Sequence, residues 1–131
     1  PLVEKRIFMF LDMKSSTTIA EQLGHIRYFE LLKMYYNVMS DAIIQYRGEV
    51  YQYFGDEVVI TWELEKGIDK ANCIECYFAL KRSMHQQAAK FEKHFGVTPD
   101  FKAGLHLGEV TTGEIGALKK EIVFTGDITP I

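Results

Sequence analysis

The chain has 131 residues, 47% apolar and 25% charged, with a net charge of −3, which suits one domain built around one core. That slightly acidic balance excludes the basic footprint expected of a nucleic-acid or anionic-membrane binder. A phosphate-binding protein of this charge has to rely on metal cations and backbone N–H groups.

In chain order, Lys5 to Asp12 is a nearly continuous apolar run whose length fits a strand covered on both faces. Ser15, Ser16, Thr17 and Thr18 follow, and Thr18 with Glu21 has the spacing of a capping box. The spacing of Ile26, Phe29, Leu32, Tyr36, Met39 and Ile43 predicts the core face of a long helix, bent or broken near Gly24. Glu49 to Phe54 and Glu57 to Trp62 read as two strands joined by a tight Gly55-Asp56 turn. Asp69 to about Phe95 reads as a second helix, with Ile74, Phe78, Leu80, Met84, Ala88 and Phe91 inward and a stop at Gly96-Val97-Thr98-Pro99. Asp100 to Val110 alternates as a strand, a Gly-rich stretch runs from Gly108 to Gly116, and Glu121 to Thr125 is a last strand. Right-handed crossovers then place both helices on one face of an antiparallel sheet. The expected fold is α+β, a ferredoxin-like βαββαβ palm sandwich with an additional C-terminal strand.

Cys73 and Cys76 form a C-x-x-C pair inside the second helix, with no further Cys/His pair at finger-like spacing. They are expected to be buried thiols rather than metal ligands. The longest apolar run near the start, Ile7 to Leu11, falls far short of a membrane span. Pro1 stands where an initiator Met is missing, so the 131 residues are expected to be one domain excised from a longer protein. That domain is expected to be cytoplasmic and to touch no membrane directly, whatever tether lies outside it.

The chemistry concentrates at one edge of the expected sheet. Asp12 closes the first strand and Asp56 sits in the hairpin turn, and first and third strands are central neighbours in this topology. Two carboxylates converging there could serve divalent cations on a triphosphate. Met13-Lys14-Ser15-Ser16-Thr17 leads directly into a helix, whose free N–H groups and dipole favour an anion. Either Asp by itself is more often a turn former or cap; the functional case rests on the conjunction.

Three stretches resemble the class III adenylyl and guanylyl cyclases. Phe10-Leu11-Asp12-Met13-Lys14-Ser15-Ser16-Thr17, with Glu21 and Gly24, resembles the first-strand motif; Gly48 to Asp56 resembles the second; Gly104 to Gly116 resembles the glycine-rich third. The resemblance implies a nucleotide cyclase that turns a nucleoside triphosphate into the 3′,5′-cyclic monophosphate plus pyrophosphate. It implies two Mg²⁺ (or Mn²⁺) held by Asp12, Asp56 and the Met13 carbonyl, with Lys14, Ser15, Ser16 and Thr17 as the phosphate-binding loop. It also implies a head-to-tail homodimer whose sites are built from both chains.

At the two base-reading positions this sequence has Gln52 and Val123, where the family has Lys with Asp or Thr for adenine and Glu with Cys for guanine. A Gln amide carries a donor and an acceptor, so ATP is the first expectation, GTP the second, with poor discrimination. Pro130 stands where the family carries an Asn, and the family's later Arg and Lys lie past Ile131, so these residues by themselves are expected to be feeble. The alternative is a degenerate cyclase domain that binds nucleotide or dimerises to regulate a neighbour. A diguanylate cyclase fits less well, since Phe54 to Val58 lacks that family's first Gly and its Phe. His106, beside Gly104 and Gly108, reads as a packed strand-end histidine in preference to a general base.

Overall fold

Alternation along the first strand, β1 (Leu2–Met13), sets the layering. Ile7, Met9, Leu11 and Met13 project into the main core, whereas Phe8 belongs to a separate cluster on the other face with Val59 and Val110. The computed structural model describes residues 2–112, 124–125 and 128–130.

After β1 come helices α1 (Ser16–Leu23) and α2 (His25–Gln45), then the hairpin strands β2 (Glu49–Phe54) and β3 (Glu57–Glu63). Helix α3 (Leu64–Ile68), a 3₁₀ turn (Asp69–Ala71), α4 (Asn72–Gln86) and α5 (Ala88–Phe95) lead to β4 (Phe101–Thr112). Strands β5 (Phe124–Thr125) and β6 (Ile128–Pro130) pair with β4. The strand order is β2-β3-β1-β4-β5 and every pairing is antiparallel. This is the expected ferredoxin-like βαββαβ palm with additional C-terminal strand pairing. The β1–β4 ladder runs the length of the first strand and the β1–β3 ladder runs from Arg6 to Asp12, which makes β1 the central strand of the sheet.

One face of the sheet carries the helices. Leu31, Tyr35, Met39 and Ile43 of α2, Cys76, Leu80 and Met84 of α4 and Phe91 of α5 bury against β1 and β3. Cys73 and Cys76 are free, buried thiols, as their place in the helix implied. Both are pushed up in pKa by burial, Cys76 to about 12, which keeps them protonated and inert.

The helices match the expected core face at Met39, Ile43, Leu80, Met84 and Phe91 and depart from it nearer their starts. Gly24, at φ 79°, ends α1 and starts α2, and a positive φ there favours glycine. Within α2, Met39 and Ile43 are buried as expected and Leu32 and Tyr36 pack against the core, whereas Ile26 and Phe29 are 74% and 63% exposed and Leu31 and Tyr35 are inside instead. The second helix is likewise interrupted, with left-handed Lys70 and Ala71 before α4 and a break at Gln87 before α5. Ile74 and Phe78 face outward while Cys73, Cys76 and Ala79 are buried. The Thr18–Glu21 capping box does not form: α1 already begins at Ser16 behind Ser15.

Candidate active site

The end of β1 and the β2–β3 turn meet because of register. Asp12 pairs across the ladder with Glu57, which is the residue after Asp56. Period-two alternation puts Asp12 and Glu57 on the face away from the helices. The turn itself needs Gly55 at φ 60°, the left-handed conformation that glycine adopts at least cost.

No motif marks Glu57, although a two-residue turn and an adjacent central strand are enough to place it opposite Asp12. Burial, then hydrogen bonding to the Asp12 carboxyl, then the charges of Asp12 and Asp56 raise its pKa above the ordinary carboxylate range. Three carboxyl groups therefore crowd one corner. Among the described residues, no three His, Cys, Asp or Glu side chains are arranged to close around a metal ion. The donor chemistry nonetheless fits Mg²⁺ or Mn²⁺: oxygen ligands only, too few to complete a shell, and excess negative charge that a cation relieves.

The loop after β1 is tied down by its neighbour rather than by its own side chains. The Lys14 amide donates to the Asp100 carbonyl at 2.8 Å. Ser15 then turns left-handed at φ 56°, ψ 31°, and its carbonyl accepts from the Ile19 amide at 3.0 Å. No side chain caps α1, so its first-turn N–H groups have no intrahelical acceptor. Beside them is a cavity of about 400 Å³ lined by Ser16, Thr17, Ala20, Glu21 and Tyr28. Lys14 is engaged at its head: Asp100 Oδ2 accepts from Nζ at 3.2 Å, while Oδ1 accepts from Lys81 Nζ at 2.7 Å. The Lys81 hydrogen bond foremost, then the Phe101 amide and Lys14, holds the Asp100 carboxyl down at about 2 against its partial burial.

Of the base-reading pair, Gln52 lies in β2 opposite Val59, next to a register shift after Val50, and is exposed. Gln52, Val59, Phe10 and Gly104 form one row across the same face as Asp12. Val123 lies outside the described residues. His106 also lies on this face, edge-on to Phe10 at 5.0 Å between centroids. A Cβ on Gly104 would sit 3.4 Å from its Nε2, consistent with a packed ring.

Over residues 3–128 the chain matches the family described as the adenylate and guanylate cyclase catalytic domain. The chain is 35% identical over 127 residues to adenylate cyclase 2 of Rhizobium meliloti (strain 1021), covering 97% of this chain and 35% of that protein. It superposes on a bacterial light-regulated adenylyl cyclase with a TM-score of 0.77 at 23% identity, covering 96% of this chain and 64% of that one. It superposes equally well on the guanylyl cyclase Cya2, with a TM-score of 0.78 at 17% identity, covering 98% and 64%. The chain thus spans about a third of the curated relative and about two thirds of these structures.

Proposed function

Because the chain belongs to the adenylate and guanylate cyclase catalytic-domain family, we propose that it is the catalytic part of a nucleotide cyclase acting on ATP, with GTP as a second substrate. The ribose 3′-oxygen bonds to the α-phosphorus, the bond from that phosphorus to the bridging oxygen breaks, pyrophosphate leaves, and the hydroxyl proton passes to solvent. The observation that carries this reading is the corner itself: Asp12 is paired with the residue next to Asp56, beside the uncapped start of α1.

Asp12, Asp56 and the Met13 carbonyl would hold two Mg²⁺ or Mn²⁺, which would acidify the 3′-hydroxyl and offset charge on the leaving phosphates. The chain's own groups supply the rest. Ser15, Ser16 and Thr17 present N–H and hydroxyl donors to the β- and γ-phosphates, aided by the α1 dipole. Lys14 adds a charge once it exchanges Asp100 for phosphate oxygens. Gln52 reads the base edge by pairing its amide with adenine or, flipped, with guanine. A second copy, head to tail, completes the site.

ATP comes first because the relative at 35% identity is an adenylate cyclase. The Gln amide leaves room for GTP. The test is an assay of the full-length protein with each triphosphate and Mg²⁺ or Mn²⁺. Cyclic product is expected from both, with kcat/KM values within about a hundredfold, or about 2.7 kcal/mol. Asp12→Ala and Asp56→Ala should each reduce the rate to background, and product that survives either change sinks the assignment. Nucleotide binding without product would favour the regulatory alternative.

A further inference from the structure

A phenol hydroxyl enclosed by protein needs a partner, and leaving it without one costs about 1–3 kcal/mol. Two consecutive tyrosines of α2 break this rule at one place. The hydroxyls of Tyr35 and Tyr36 are both buried with no hydrogen-bond partner among the described residues. Tyr35 is 0% exposed, and its ring lies 5.7 Å from that of Tyr36. A phenylalanine at either position would fill the same volume without the cost.

Their location gives the hydroxyls a purpose. The Tyr36 ring packs on Tyr53 at 4.4 Å between centroids, and Tyr53 lies in the strand that enters the Gly55-Asp56 turn. The Tyr36 phenol therefore sits behind the hairpin that carries Asp56, and the Tyr35 ring lies against Tyr36 and against Phe101, the residue paired with Met13. Burial first, then neighbouring charges that include Asp56 on both and Asp12 and Asp100 on Tyr35, raises their pKa values, that of Tyr36 to about 12. At neutral pH they are O–H donors held near carboxylates.

We propose that Tyr35 and Tyr36 are positioning residues for Asp56, donating hydrogen bonds to the carboxylate oxygen that faces away from the cation. This rests on the metal-binding reading of Asp12 and Asp56 and extends it to the groups behind the ligand. A ligating carboxylate is oriented by the hydrogen bonds at its other oxygen, and loss of such a partner weakens metal binding by about 10- to 100-fold. The unpaired hydroxyls are the cost of a shell that is satisfied when the hairpin carboxylate turns to grip its ion.

The experiment compares Tyr35→Phe, Tyr36→Phe and the double variant of the full-length protein in two measurements. One is a Mn²⁺ titration followed by electron paramagnetic resonance; the other is thermal unfolding without metal. The expected result is Mn²⁺ affinity lower by about 10- to 100-fold with a metal-free Tm equal to or above wild type. Unchanged Mn²⁺ affinity in the double variant overturns the proposal, and so does an affinity loss matched by a fall in metal-free Tm, which marks a packing role. Asp56→Ala in the same titration separates the two claims. If it abolishes Mn²⁺ binding while the Phe variants bind normally, only the tyrosine proposal falls; if it leaves binding intact, the metal reading falls and takes this proposal with it.

Discussion

Across the β1–β3 ladder Glu57 faces Asp12, with Asp56 adjacent in the chain, and like charges directly opposed on neighbouring strands cost about 0.2–1 kcal/mol. Glu57→Gln keeps the shape and hydrogen-bonding capacity while removing one charge. It should raise the metal-free Tm, and the additional rise produced by saturating Mg²⁺ should become smaller, because less repulsion is left to relieve. Thermal unfolding with and without Mg²⁺ checks both. At this scale the sequence is unevenly informative. Asp12 and Asp56 stand in stretches with motif-like spacing, so they can be named before any coordinates. Glu57 is legible only through register. The orphaned hydroxyls of Tyr35 and Tyr36 have no sequence signal, since helical spacing of a tyrosine says only that one face is buried.

Between elements, two polar ties hold the sheet and its loops in place, and each has a measurable consequence. On the face away from the helices, the guanidinium of Arg6 is nearly buried and its Nε donates to Thr61 Oγ1 at 3.0 Å, while that hydroxyl donates to the Ile7 carbonyl at 3.0 Å. Thr61→Val removes both bonds and leaves a buried donor and acceptor to find others, so it should cost about 1–3 kcal/mol in a denaturant titration. The second tie is Asp100, which joins Lys14 after β1 to Lys81 of α4. Its folded pKa of about 2 lies below the ordinary aspartate value of 3.8. A carboxyl depressed in this way stabilises the fold above its unfolded pKa, and that contribution disappears as pH falls from about 4 toward 2. Asp100→Asn should therefore flatten the acid limb of stability against pH in that window, with a cost at neutral pH held to about 1 kcal/mol per pair by exposure. Element order and the hairpin are readable in advance because strand length, Gly-Asp and Gly-Val-Thr-Pro are local signals. Helix phase is only partly readable: the expected Met39, Ile43, Leu80, Met84 and Phe91 are buried, whereas Ile26, Phe29, Ile74 and Phe78, nearer the start of each helix, are exposed, because apolar spacing alone does not say which apolar residues at a helix start reach the core.

For the molecule as a whole, the sheet has a helix-covered side and a side that collects Asp12, Glu57, Gln52 and His106. The β2–β3 hairpin extends that second side with Phe54, which is opposite Glu57 and 68% exposed. In the proposed head-to-tail dimer, two such sides face each other and each site draws residues from both copies. Mixing variants tests this directly. An Asp12→Ala chain still offers Gln52 to its partner, and a Gln52→Ala chain still offers its acids. If acids and base contact in one site come from different chains, each variant alone is impaired, but a mixed dimer contains one intact site and one doubly damaged site. Random exchange in an equal mixture makes half the dimers mixed, so specific activity should recover to about a quarter of wild type. The recovery should depend on allowing subunits to exchange and fade on dilution below the dimer dissociation constant. If each chain builds its site alone, the mixture never exceeds the average of the two variants, because every Asp12→Ala copy remains without the proposed metal-binding acid whatever stands opposite it.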